Sequence, residues 1–247
     1  MEAIKFDLYG KYAFFKNPES NLGTEFSFEH IHKPIILGII GAIVGLNGKS
    51  TINISKIISV PEYYKILKNI KIAIVPKKPI FNKYIETITN STGFANKNST
   101  QIITKKILQD VKWTIYISKD SIDKEIYEKL FKLLDKHESS YPLYLGNNNY
   151  KARIANVEIV NIEQYKGKLE EMLIDSIFPQ EVILENYEEC ITDDIDPYNL
   201  TVYVPNSLNK YNLYEYIWVE YTNCLLDFDK NYINNLYISK NEILYFI

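Results

Sequence analysis

The sequence predicts an α+β chain. A ferredoxin-like (βαββαβ) domain over 1–165 carries an inserted β-hairpin, and a smaller, mainly β module follows over 166–247. Three observations carry this prediction. Short strand-like segments and two segments of helical period follow one another in the order β-α-β-β-α-β. A polar, lysine-bearing stretch at about 77–110 interrupts that order with two strand-like pieces around a tip of turn formers. After 165 the pattern changes to short strand-like runs.

Taken in order, Ile4 to Tyr9 alternates apolar and polar residues and reads as a strand ending at Gly10. Tyr12 to Phe15 is compact and aromatic, and Asn17 to Gly23 is rich in turn formers. Pro34 suits the first turn of a helix running to Leu46, apolar around most of its circumference and therefore buried. Gly38, Gly41 and Gly45 give that helix one smooth face, for which a neighbouring strand is the expected partner. Lys71 to Val75 is a second strand, closed by Pro76. The hairpin arms are read at Tyr84–Thr89 and Gln101–Thr104, and a third strand at Val111–Ser118. Ser121 is the expected cap of a second helix, where Ile122, Ile126, Leu130, Leu133 and Leu134 keep amphipathic spacing. Ala152 to Val160 is the fourth strand. The second module reads as a short helix near Leu169–Ile174, then strands at Val182–Leu184, Thr201–Val204 and Tyr214–Glu220, with an apolar end at Ile243–Ile247. This split βαβ order is also the one used by RNA-recognition domains.

Composition bounds the function. Over 247 residues, 46% hydrophobic and 24% charged describe an ordinary globular chain. The longest uncharged apolar run, Ile35 to Leu46, is far short of the ~20 residues of a membrane span. No signal peptide is visible, and Cys190 and Cys224 lack metal-like or redox-like spacing. We therefore expect a cytoplasmic protein with no membrane partner, cofactor or metal. The net charge of −3 argues against a nucleic-acid binder, but it hides an asymmetry. Residues 1–112 hold 16 Lys against 8 acids, a net +8, whereas 113–247 carry −11. The N-terminal part is thus expected to face a polyanion. Arg153 is the sole arginine, so phosphate contacts would rest on lysine point charges and backbone N–H groups.

Three segments in series resemble one family. Lys5-Phe6-Asp7-Leu8-Tyr9-Gly10-Lys11-Tyr12-Ala13-Phe14-Phe15-Lys16 resembles its opening strand, glycine and aromatic run. Lys33-Pro34-Ile35-Ile36-Leu37-Gly38-Ile39-Ile40-Gly41-Ala42-Ile43-Val44-Gly45-Leu46 resembles its glycine-studded first helix. Tyr141-Pro142-Leu143-Tyr144-Leu145-Gly146-Asn147 resembles its Tyr-Leu-Gly turn. The family is the CRISPR-associated RAMP-superfamily subunit that caps the crRNA 5′ handle in type I Cascade complexes, with a flavour similar to subtype I-B. The resemblance covers about 150 residues and thins after Val160. It departs at Asn147-Asn148-Asn149, where the family often has a basic residue, leaving Lys151 and Arg153 as substitutes.

The resemblance implies a non-catalytic subunit in antiviral defence. It would hold the 5′ handle, use the hairpin as a thumb, abut the backbone RAMP subunit and the large subunit, and meet target DNA only indirectly. The expected RNA contacts are Lys11, Lys16, Lys33, Lys77, Lys78, Lys83, Lys105, Lys106, Tyr144, Gly146, Lys151 and Arg153, along the N-terminus of the glycine helix and the hairpin. Tyr12, Phe14, Phe15 and Tyr144 are either stacking platforms for bases or core residues. The acidic second module is expected to face away from RNA or toward protein.

In some relatives this subunit is a metal-independent endoribonuclease that processes repeat RNA. His30 or His32 with Lys33 would supply a base and a cation for such chemistry. The simpler reading, preferred here, is of loop side chains beside an RNA strand. His137 reads as a cation at a helix C-terminus. Gly48-Lys49-Ser50 is no phosphate loop, because Ile43 stands where a glycine is required and the helix precedes the motif. The acids Glu185, Glu188, Glu189, Asp193, Asp194 and Asp196 lack the glycine and spacing of a calcium loop.

Overall fold

The computed structural model describes residues 1–18, 23–48, 60–90, 101–190 and 196–247. It is an α+β structure with one mixed sheet, smaller antiparallel sheets and few helices. β1 (Glu2–Ala13) pairs antiparallel with β5 (Gln101–Ser118) on one side and with β6 (Arg153–Asn161) on the other. β5 is long enough to serve two partners on each edge. β1 and the short parallel β2 (Thr24–Phe26) lie along one edge, and the antiparallel β3 (Ile72–Pro76) and β4 (Asn82–Asn90) along the other.

The predicted hairpin and third strand are therefore one element. β5 forms the second arm of the hairpin at its start and the core sheet at its end. Asp110, at φ 51°, marks the irregularity where the strand changes partners. The tip expected at 91–100 lies outside the described residues. β1 runs through Gly10 to Ala13 instead of stopping there, because residues past the glycine still find β5 partners at Gln109 and Leu108.

Two helices cover one face of the sheet. α1 (Lys33–Val44) has Pro34 in its first turn and ends at Gly45 in the left-handed conformation, φ 83°. α3 (Lys124–Asp135) is capped by Asp123, whose carboxylate accepts from the amides of Glu125 and Ile126. Ser121 is not the cap. Its hydroxyl donates to the Ser118 carbonyl and accepts from the Lys71 amide, tying the strand end to the chain entering β3. The face alternation of β1 sends Ile4, Phe6 and Leu8 into the core under the helices. Ala3 goes to the opposite face, where it meets Tyr116, Val160, Leu244 and Phe246.

The glycine face of α1 meets a helix, not a strand. A Cβ on Gly41 would lie 2.6 Å from Tyr63 Cβ, on α2 (Glu62–Leu67), a short helix absent from the sequence reading. Beyond β6, no helix forms at 169–174; Met172 makes a bridge to Leu226 instead. The remaining strands are β7 (Glu163–Gln164), β8 (Phe178–Pro179), β9 (Ile183–Cys190), β10 (Asn199–Leu208), β11 (Tyr214–Thr222), β12 (Cys224–Phe228), β13 (Leu236–Ser239) and β14 (Glu242–Tyr245). They form the small sheets β10-β11-β8, β12-β9 and β14-β13-β7. The β9–β12 register sets the two cysteines, distant in sequence, at paired positions. Val204 and Val219 join the core that holds α1, so β10 and β11 pack on it. Among the described residues no helix is long and apolar enough to cross a membrane.

Candidate nucleic-acid interface

The end of β1 and the turn at 141–151 cross each other closely, and two glycines make the crossing possible. A Cβ on Gly10 would lie 2.7 Å from Leu145 Cδ1 and 2.9 Å from the Lys151 carbonyl. Gly146 has φ 80°, and a Cβ there would lie 2.0 Å from the Phe14 carbonyl oxygen. The Phe14 amide donates to the Leu145 carbonyl at 3.0 Å, and Tyr144 bridges to Lys151. Gly146 thus lets the turn lie flat on the strand.

This turn opens a cleft of about 1140 Å³ between the end of α3 and β6. Tyr144, Lys151 and Arg153, three of the expected RNA contacts, line it together with Tyr141, His137 and Glu138. Tyr141 and Tyr144 are each 47% exposed, so the core does not use their rings. No carboxylate lies within ion-pair distance of Lys151 or Arg153 among the described residues. On the other side of the turn, the Tyr150 hydroxyl donates to Glu86 Oε2 of β4 at 2.6 Å, and Tyr12 packs against Tyr84 and Tyr150. The turn therefore joins the cleft on one side to the base of the hairpin on the other.

At that base the expected lysines are not bare. Lys16 Nζ lies 2.5 Å from Glu25 Oε1, and Lys105 Nζ lies 4.0 Å from Glu25 Oε2. Lys83 Nζ lies 2.5 Å from Glu29 Oε1. Lys105 and Lys106 also stand over the Phe14 and Phe26 rings, at 5.3 and 5.1 Å. The two carboxylates are only 20–25% exposed, so a phosphate would compete with partly buried partners for these amines. Lys11 is exposed beside the Tyr12 ring. Lys77 faces Glu242 at 3.9 Å, and Lys78 is exposed next to it. The twelve expected residues thus separate into the cleft group, the hairpin-base group, the Lys77–Lys78 corner, and Lys33.

Lys33 sits at the start of α1 in a small cavity closed by Val202, Val204, Ile217 and Val219 of β10 and β11. Burial, followed by the charge of Lys71, pushes its amine down to about 8. The helix N-terminus that the sequence reading opened to RNA is therefore roofed by the second module, which does not simply face away.

His30 and His32 are core residues, 2% and 4% exposed, not loop side chains. His30 Nε2 donates to the Pro79 carbonyl at 2.8 Å while Nδ1 accepts from the Trp113 indole at 3.3 Å, which fixes a neutral tautomer. His32 is ringed by Phe15, Phe28 and Tyr214. Burial pushes His30 down to about 4 and His32 down to about 3. Phe14 and Phe15 are likewise core residues. Across the sheet, Asp7 accepts from Thr114 Oγ1, Asn156 Nδ2 and Lys112 Nζ at 2.7–2.8 Å. Burial would raise its carboxyl, but these donors and the lysine charge hold it below its ordinary value.

The sequence reading missed Tyr141 and Glu138 as cleft residues, and Glu25 and Glu29 as counter-charges. The spacing of Tyr141 and Tyr144 within one turn was the only local signal. Among the described residues no group of His, Cys, Asp and Glu could hold a metal ion.

No protein family's sequence profile matches this chain, and no curated protein does. Among solved structures, the crystal structure of a CRISPR protein from Archaeoglobus fulgidus aligns over 99% of this chain and 98% of its own, with a TM-score of 0.51 at 12% identity. A CRISPR RNA-guided surveillance complex aligns over 91% of each chain at TM-score 0.47 and 13% identity. A Cas protein crystal structure covers 90% of this chain and 95% of its own, at TM-score 0.47 and 10% identity. At 12% identity the first likeness is one of fold. The other two, below a TM-score of 0.5, add nothing to it.

Proposed function

We propose that this chain is a non-catalytic crRNA-binding subunit of a type I CRISPR Cascade complex in the cytoplasm. In that role it holds the 5′ handle and contacts the backbone and large subunits. The observation that carries the reading is the convergence of Tyr144, Lys151 and Arg153 on one cleft, beside a turn whose Tyr150 is tied to the hairpin through Glu86. Aromatic faces beside unpaired cations are what single-stranded RNA requires: stacking for bases and charge for phosphates.

The strand order β6-β1-β5-β3, with α1 after the first strand and α3 after the third, supports reading residues 1–165 as a ferredoxin-like, RRM-type RAMP domain. The fold shared with the Archaeoglobus fulgidus CRISPR protein supports the same assignment. Residues 166–247 form the second module in this reading. The competing function, a metal-independent endoribonuclease, rests on His30 or His32 with Lys33 reaching RNA. Burial of both rings and the neutral hydrogen bonding of His30 favour the non-catalytic reading.

The test is reconstitution of the guide complex with wild type and with the Lys77→Glu/Lys78→Glu double variant. Co-purification of guide RNA with the wild-type complex, and failure of the variant to assemble, are expected. Normal assembly of the variant removes the hairpin corner from the proposal. Metal-free incubation of the isolated chain with repeat RNA separates the two functions, since specific cleavage overturns the non-catalytic reading.

A further inference from the structure

Helix α3 ends in a Schellman turn whose last position is unusual. The His137 amide donates to the Leu134 carbonyl at 3.0 Å and the Glu138 amide to the Leu133 carbonyl at 2.9 Å. His137 takes the left-handed conformation, φ 55°, normally given to glycine. The residue after it is usually apolar, because it packs back on the helix. Here it is Glu138, exposed and lining the cleft. No lysine or arginine lies within ion-pair distance of its carboxylate among the described residues. The helix end therefore presents a bare acceptor to a cleft whose other polar side chains include the cations Lys151 and Arg153.

A carboxylate in a site for a polyanion is repulsive unless it reads a donor. An ionised glutamate only accepts hydrogen bonds, through two oxygens side by side. Among the four RNA bases only guanine offers two adjacent donors on its Watson–Crick edge, N1–H and the 2-amino group. Adenine and cytosine set an acceptor beside their amine, and uracil flanks N3–H with two carbonyls. From the juxtaposition of Glu138 with Tyr141, Tyr144, Lys151 and Arg153, we infer that the cleft takes one unstacked guanosine nucleotide. The base lies against the tyrosines with its edge on Glu138, and its phosphate lies on Lys151 and Arg153. A cleft of about 1140 Å³ has room for a nucleotide with its flanking phosphates. This rests on the RNA-binding reading above and assigns that site its base.

The experiment uses the full chain and fluorescently labelled oligouridines of about eight nucleotides, the scale of a single-strand site. One guanosine is walked through every position, and affinity is read by anisotropy. One position is expected to bind roughly tenfold more tightly with guanosine than with uridine, the size of a bidentate base contact. Inosine, which lacks the 2-amino group, should recover only part of that gain. Glu138→Gln should abolish the preference for guanosine, and Tyr144→Ala should weaken all the oligomers. Binding of equal strength at every guanosine position, or a preference that survives Glu138→Gln, overturns the guanosine assignment and leaves the RNA-binding reading standing. Failure to bind any oligomer overturns both.

Discussion

The indole Nε1 of Trp113 donates to Nδ1 of His30 across 3.3 Å inside the core, joining the centre of β5 to the loop that leads into α1. This contact is available only to an uncharged imidazole, since a protonated ring has no acceptor.

Stability should therefore fall with acid in a defined window. The ring of His30 is pushed down to about 4 and that of His32 to about 3, so the unfolded chain binds protons that the folded chain refuses. Their contribution is complete above about pH 6.5 and is lost as pH falls from there toward 4. Each histidine should remove about 1.4 kcal/mol per pH unit within that window, or about 2 kcal/mol by pH 5. Urea unfolding at pH 7.5 and pH 5 measures this, and His32→Phe should roughly halve the difference. Asp7, held low, acts below its ordinary value and outside this window. A urea midpoint independent of pH between 7.5 and 5 would contradict the burial of both rings.

Gly146→Ala should cost 3 kcal/mol or more, on the order of the strain of a left-handed residue plus a backbone clash. The new Cβ would stand 2.0 Å from the Phe14 carbonyl oxygen at a φ of 80°. Gly23→Ala shares the left-handed φ but meets nothing within 4 Å, so it should cost only about 1–2 kcal/mol. Equal losses for the two in chemical denaturation would show that the β1–turn crossing is not tightly held.

Removing a counter-charge should strengthen RNA binding. Glu25 holds both Lys16 and Lys105. In Glu25→Gln these amines are freed for phosphate, so affinity for oligouridine at low salt should rise a few-fold. The slope of log K against log salt should steepen by up to about one. Unchanged affinity and slope would take Lys16 and Lys105 out of the RNA path.

The roles of Asp123 and Ser121 can be told apart. Asp123→Ala removes the acceptor for two helix amides and should cost ~1 kcal/mol. Ser121→Ala instead leaves the Lys71 amide without its hydroxyl partner, and should cost about 1 kcal/mol by disturbing the start of β3. Amide exchange distinguishes them. The first variant should expose the first turn of α3, the second the Lys71–Ser118 end of the sheet.

The sequence by itself determined the elements that local pattern controls. The 2-residue alternation of Ile4 to Tyr9 marked β1, Pro34 and the apolar run to Val44 marked α1, and strand-like runs around a polar tip marked the hairpin arms. These signals live within a few residues of one another. Where the pattern was ambiguous, tertiary context decided. Gly10 looked like a stop, but β5 offers partners beyond it. The run near Leu169 looked helical, but Met172 is drawn to Leu226. Charge sorting pointed to lysines but could not show that Glu25 and Glu29 sit upon them, because folding brings β2 and the residues after it against Lys16, Lys83 of β4 and Lys105 of β5. The histidines looked accessible in sequence, and only the packing of Trp113, Phe28 and Tyr214 buried them. The cleft is the clearest case. Tyr144, Lys151 and Arg153 were legible as types, but Glu138 and Tyr141 joined them only because the Schellman end of α3 and the Gly146 turn converge on β6. Local periodicity sets which segments are strand or helix; which side chains share a site depends on contacts between distant residues, and that was settled by the packed core.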